Sequence, residues 1–245
     1  MTLLLILVAI GIQRFLQFSS QPFHVNWIGS YYRWCEHKIK YITTGHGLLG
    51  FAMLVVPILF ITSIFFSIIF HIFGSFGYWV MSLVFFWYCI DARDLKKQPY
   101  SAVGAVDLLT KVYQALYGMI FWFTLFGPVG LVLYYVTKFF NTYFQQHQSS
   151  EAKELGFYAQ RILAILDWIP MRLFTLSFAL VGHFSNVFKV WAKSLLDGFD
   201  LEMSLITHCG QAVVNTLEDA ISLLNRVLVV WLVVIALVTI GLVLG

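Results

Sequence analysis

This chain reads as an all-α, polytopic helical membrane protein, with about four to six membrane segments and amphipathic interfacial helices beside them. Three observations predict it. Of its 245 residues, 60% are hydrophobic and 11% charged, far from the roughly 25% charged of a soluble domain. Uncharged runs long enough to cross about 30 Å of hydrocarbon recur along it. Between them lie the Lys and Arg residues and many Trp and Tyr residues, the composition of membrane interfaces. No second domain is visible, so 1–245 reads as a single integral membrane domain. Its polar or interfacial loops fall near 19–47, 91–111, 141–170 and 189–226.

The first run, MTLLLILVAIGI, follows no basic residue and precedes no small-x-small site. It predicts a short membrane helix to about Phe18, with Arg14 snorkelling, rather than a cleaved signal. From Ser19 to Gly47, Trp27, Tyr31, Trp34 and Lys38 recur at helical spacing beside Arg33 and Lys40, which predicts a helix lying in the interface. His24, His37 and His46 lack Cys or carboxylate companions at ligand spacing, and Cys35, Cys89 and Cys209 are far apart. The sequence therefore predicts no metal site, no cofactor and no disulfide framework.

Leu48 to Phe73 is the clearest crossing, kinked at Pro57. Gly74-Ser75 turns the chain into a second run, Phe76 to Ile90, so the two form an antiparallel hairpin. The polar stretch Asp91 to Lys111 and the basic residues of 14–40 belong on the cytoplasmic side, which places the N-terminus and the hairpin turn outside. Val112 to Phe140 is broken at Gly127-Pro128, with Gly130 following. It is either one kinked crossing or two half-segments that dip in and return. Asn141 to Ser150 is a linker, and Glu151 to Asp167 carries too many charges for a span and reads as an amphipathic helix. Phe188 to Val227 continues as amphipathic helices, with Leu201, Leu205, Val213, Leu217, Ile221 and Leu224 at helical intervals. Leu228 to Gly245 is the last run, with Arg226 at its cytoplasmic end and the C-terminus outside. An even number of crossings follows, so 112–140 and 171–188 either both cross, which makes six, or both re-enter.

The stretch from Leu166 to Trp191 concentrates the chemistry. Pro170 removes a backbone donor and biases Ile169 away from helical geometry. That predicts a helix ending near Asp167 or Trp168 and a new one starting at Met171. Asp167 then sits near the second helix's positive end, and Arg172 reaches back to it. Charges at membrane depth are costly unless paired or functional, so the pair is either a clamp on the break or the centre of a pocket for an anion. His183 lies eleven residues beyond Arg172, near three whole turns and on one helical face. It can titrate near neutral pH or bond within the bundle. Gly127-Pro128-x-Gly130 either opens a backbone pocket or lets helices approach. The catalytic candidates are Asp167, Arg172 and His183. The ligand-binding candidates are Gly127, Pro128, Gly130, Asn141, Asp167, Arg172 and Lys189, with Asp107 an outlying partner. Walker, dinucleotide, G-x-S-x-G and H-E-x-x-H signatures are absent. The small scattered charge excludes a nucleic-acid surface.

These residues also carry a family resemblance. The start MTLLLILVAIGIQRF, the central FGPVGLVLYY and above all LDWIPMRLFTLSFALVGHF, followed by Trp191-Ala192-Lys193-Ser194-Leu195, resemble the AmpE family. Its members are inner-membrane proteins encoded with an amidase in the locus that controls beta-lactamase induction. AmpE is in turn similar to the membrane amide synthases of cobalamin biosynthesis. The shared features fall here on Gly127, Pro128, Gly130, Asn141, Asp167, Ile169, Pro170, Arg172 and Leu173. Where the synthases carry an acidic-and-amide cluster upstream of Gly127, this chain has only Gln114. The resemblance thus implies a non-catalytic, multi-pass inner-membrane modulator and partners of three kinds: the lipid bilayer, a cell-wall-derived or other anionic small molecule, and other membrane or signalling proteins.

Overall fold

A computed structural model describes residues 27–38, 47–89, 104–147, 150–182, 184–194, 202–214 and 216–244. Among them every regular element is helical: α1 Trp27–Lys38, α2 Gly47–Cys89, α3 Ala105–Val112, a wide π turn Tyr113–Tyr117, α4 Gly118–Gln146, α5 Ser150–Val181, α6 Phe184–Ser194, α7 Glu202–Gln211 and α8 Leu217–Leu244. Among the described residues, four stretches are long and apolar enough to cross a membrane: Gly47–Cys89, Ala105–Gln146, Ala152–Val181 and Leu217–Val238. The chain is an all-α polytopic membrane protein. The expected first helix at 1–18 lies outside the described residues, as do 19–26 and 91–103.

The helices group into two compact units. The described residues of one fall in 27–89 and 125–163. Its core joins Ile28 and Tyr32 of α1, Phe51 and Leu54 of α2, Phe140 and Phe144 of α4, and Leu155 and Ala159 of α5. The Tyr32 ring meets Phe144 edge-on at 5.1 Å. Within α2, Gly74 has φ 62 and ψ −160, a conformation open to glycine and strained for other residues. There the chain reverses: the rings of Phe66 and Phe85 are 5.1 Å apart, where an unbroken helix would separate them by about 28 Å. The antiparallel hairpin expected at Gly74-Ser75 is present. Gly127 repeats the conformation, with φ 61 and ψ −147, and breaks α4 just before Pro128. A side chain added there would meet the Tyr78 hydroxyl at 3.2 Å.

The described residues of the other unit fall in 104–124 and 164–244. Here α3 packs on α7 and α8, and α7 packs on α6. Helix α8 opens with a reciprocal cap: Thr216 N–H donates to Asp219 Oδ2 at 3.0 Å, and Asp219 N–H donates to Thr216 Oγ1 at 3.2 Å. That satisfies two of the donors a helix start leaves over.

Five expectations need correction. Asn141 to Ser150 is not a linker along its length, because α4 continues to Gln146 and α5 begins at Ser150. Pro170 does not break the chain; α5 runs through it from Ser150 to Val181. In consequence Glu151 to Asp167 is not a separate amphipathic helix but the first part of that element. The apolar run 171–188 is two elements, because α5 ends at Val181 and α6 begins at Phe184. The polar stretch 91–111 is not loop to its end, since Ala105 starts a helix with Asp107 in its first turn.

Candidate functional site

The second half of α5 holds the polar residues the sequence singles out. Asp167 is only 4% exposed, and a carboxylate at that depth needs hydrogen bonds. The Tyr113 hydroxyl donates to its Oδ1 at 2.8 Å and also lies 3.4 Å from its carbonyl oxygen. The π turn helps to set this contact, since Tyr113 and Tyr117 are its first and last residues. Both are buried and both rings meet Phe174, at 5.3 and 4.4 Å.

Trp122 explains why no break occurs at Pro170. The proline's missing N–H frees the carbonyl four residues back, that of Leu166. The Trp122 indole donates to that carbonyl at 3.2 Å. A neighbouring helix thus supplies the donor that proline took away, the usual way a membrane helix tolerates proline.

Arg172 lies one turn beyond Trp168. Its Nη1 donates to the Trp168 carbonyl at 3.2 Å, and its guanidinium carbon stands 4.2 Å from the centre of a Trp168 ring. The attraction of cation to ring adds to the hydrogen bond. The Arg172 carbonyl accepts the Trp191 indole at 3.0 Å, which ties α6 back onto α5. Because α5 is continuous, Asp167 and Arg172 leave it in directions about 140° apart, and there is no break for Arg172 to reach across.

Further along α5, Ser177 donates to the Leu173 carbonyl at 2.8 Å and receives the Trp231 indole of α8 at 3.1 Å. The Tyr117 hydroxyl donates to the Leu224 carbonyl of α8 at 3.1 Å. Tyr113, Trp122, Trp191 and Trp231 were not among the expected site residues. The signal for them is general: a Tyr or Trp inside an apolar segment brings a hydroxyl or indole N–H that seeks a partner.

The remaining candidates are dispersed. His183 lies outside the described residues, and the helix needed to put it on one face with Arg172 ends at Val181. Lys189 is exposed on α6 and Asp107 is exposed on α3. Gly127, Pro128, Gly130 and Asn141 belong to the other unit. There Pro128 and Gly130 are buried, and Asn141 Oδ1 accepts the Gln145 amide at 3.3 Å. Outside the spans, burial pushes the Cys209 thiol up to about 12. Burial likewise raises Cys35, against the lowering effect of its bond to Tyr31. Neither is a thiolate nucleophile at neutral pH.

Comparison with known proteins places this geometry in context. A family model described as "Regulatory signalling modulator protein AmpE" matches residues 106–244. "Protein AmpE" of Shigella flexneri is 29% identical over 123 residues, 46% of this chain and 43% of that protein. "Cobalamin biosynthesis protein CobD" of Stutzerimonas stutzeri (strain A1501) is 26% identical over 106 residues, 42% of this chain and 35% of that protein. The CobD of Chromobacterium violaceum is 25% identical over 101 residues, 41% of this chain and 32% of that protein. The chain thus spans less than half the length of each of these relatives. No solved structure matches it.

Proposed function

The chain belongs to the AmpE family of regulatory signalling modulator proteins, and on that premise we propose that it is a non-catalytic modulator in the bacterial inner membrane, linked to beta-lactamase induction and cell-wall recycling. The observation that carries this reading is the use of the polar atoms around Pro170. The Asp167 carboxylate receives Tyr113, the Leu166 carbonyl receives Trp122 and the Arg172 carbonyl receives Trp191. These bonds join α5 to α6, to the π turn and to α4. Such a junction passes a shift of one helix to the others, as a modulator requires. A general acid or base must instead face its substrate. The signal fitting this junction is a cell-wall-derived or other anionic small molecule, and its readers are other membrane or signalling proteins.

The test is deletion in a host with an inducible beta-lactamase, with nitrocefin hydrolysis and muropeptide pools as readouts. The expected result is altered induction or altered pools, restored by the wild-type gene. Unchanged induction together with unchanged pools overturns the proposal.

The CobD relatives favour a second reading, a membrane amide synthase-like enzyme with an anionic-substrate pocket around Asp167 and Arg172. Against it, Gln114 is the only acid-or-amide side chain between Lys111 and Gly127. Metabolite profiling separates the two: an enzyme loses the same product in the deletion strain and in an Asp167→Asn strain.

A further inference from the structure

The return of the chain after Val181 carries an inference that does not depend on the regulatory reading. Trp191 bonds the Arg172 carbonyl at 3.0 Å, although α6 starts only at Phe184, just beyond the end of α5 at Val181. Helix α6 therefore runs back alongside the last turns of α5. From Arg172 to Val181 the limb is about 14 Å long, close to half of the roughly 30 Å hydrocarbon core. No Asp, Glu, Lys or Arg occurs from Leu173 to Phe188. Leu173, Leu180, Phe184 and Phe188 of the two limbs are exposed, as side chains facing lipid tails are.

The open end of this hairpin has the opposite character. Trp168 and Trp191 lie there with Arg172, a ring-and-cation belt of the kind found at headgroup depth. Lys189 and Lys193 stand one turn apart on α6, and both are exposed. Helix α6 contains no acidic residue. Around it, Val187 is buried against the bundle, and Phe184 and Phe188 stack at 5.1 Å on the neighbouring flank. The two lysines take the side farthest from Val187. Bundle, acyl chains and headgroups each have a sector of the helix.

We propose that residues 171–194 form a re-entrant hairpin, entering and leaving by the same face of the membrane, whose Lys189 and Lys193 bind the phosphate groups of anionic phospholipids. Ala152–Val181 is apolar enough to cross. Were Val181 at the far surface, however, α6 would carry Lys189 and Lys193 back toward the middle of the bilayer, where a lysine is costly. Placing the tip near the midplane puts both lysines at the surface.

Two measurements on the full-length protein test this. In membranes of known orientation, a cysteine replacing Lys193 reacts with an impermeant maleimide from one side only, and one replacing Ser185 reacts from neither. Labelling of the Ser185 position from the opposite side overturns the hairpin. Native mass spectrometry after reconstitution in phosphatidylethanolamine vesicles containing phosphatidylglycerol reads lipid retention. Lys189→Gln with Lys193→Gln should retain about 25-fold less phosphatidylglycerol, about fivefold for each lysine, while the paired Lys→Arg variant keeps it. Equal retention by wild type and the Gln pair overturns lipid binding, as does a lysine-dependent dimer that excludes lipid from this face.

Discussion

Two apolar stretches of this chain, the α2 hairpin and the second half of α5, are built in different ways. In the Gly47–Cys89 stretch 28% of the apolar window is buried, against 56% in Ala152–Val181. The hairpin carries exposed Phe60, Ile61, Phe73 and Phe76, and its limbs are joined by rings such as Phe66 and Phe85. Its hydroxyls bond their own helix, Thr62 to the Ile58 carbonyl and Ser82 to the Tyr78 carbonyl. Helix α5 instead takes donors from Tyr113, Trp122, Trp191 and Trp231. Hydrophobicity brings both into the membrane. The polar atoms inside the apolar run decide which one faces protein and which one faces lipid.

Side-chain truncation should widen this contrast most. Phe174 is fully buried among Tyr113, Tyr117 and Phe178, so Phe174→Ala should cost about 3–5 kcal/mol. Phe73 is 67% exposed, and Phe73→Ala should stay within about 0.5 kcal/mol. Unfolding by SDS titration of the purified protein measures both. Equal costs would mean that the burial contrast has no energetic counterpart.

A smaller effect tests the carboxylate. Tyr113→Phe removes the donor to Asp167 and should cost about 1.5–3 kcal/mol, the range for bonds to charged groups. Adding Asp167→Asn should recover part of the loss, because the neutral amide is cheaper to bury. The double variant Asp167→Asn with Arg172→Gln should accumulate normally but fail to complement a deletion. Full complementation would leave the two residues a structural role only.

The proline supports a cycle with a definite sign. Trp122→Phe should cost about 1–3 kcal/mol, because the Leu166 carbonyl loses its donor. In a Pro170→Ala background residue 170 has an N–H of its own for that carbonyl, and the same substitution should cost much less. Additivity of the two changes would show that the indole bond does not compensate for the proline.

The smallest effect concerns Cys209, packed in the same unit as the end of α5. With its thiol held up to about 12 by burial, alkylation at pH 9 should proceed only through unfolding. The sign follows from linkage: keeping the thiol neutral contributes stability that is full below the unfolded value of 9.0 and is lost as pH rises through about 12. Rapid labelling of the folded protein at pH 9 would show this unit to be looser than its packing indicates.

How far the sequence disclosed this depends on the distance over which each feature is decided. The Gly74 reversal and the Gly127 break were legible, because a left-handed backbone is a local demand that glycine announces. Composition disclosed the all-α membrane class for the same reason. Pro170 misled, since its local preference was overridden by Trp122, whose indole arrives from a distant part of the chain. The split of 171–188 at Gly182 was equally hidden, because an unbroken apolar run does not record where it turns. Asp167 and Arg172 stood out by charge alone, whereas their companions Tyr113, Trp122 and Trp191 became visible only with tertiary contacts in place.

The π turn at Tyr113–Tyr117 makes the gene unequally tolerant of losing and of gaining a codon. A π turn holds one residue more than an α-helix over nearly the same rotation, so an in-frame loss of the Gln114 codon would return the segment to α geometry with its flanks nearly in register. A codon gained between Tyr117 and Trp122 has no such slack and would rotate everything before it by about 100° against everything after it, so Tyr113 and Trp122 could no longer meet Asp167 and Leu166 together. Point substitutions at Gln114 should be mild by comparison. In a deep mutational scan this segment should tolerate replacement and single-codon loss but resist single-codon gain, a signature of register rather than of side-chain identity.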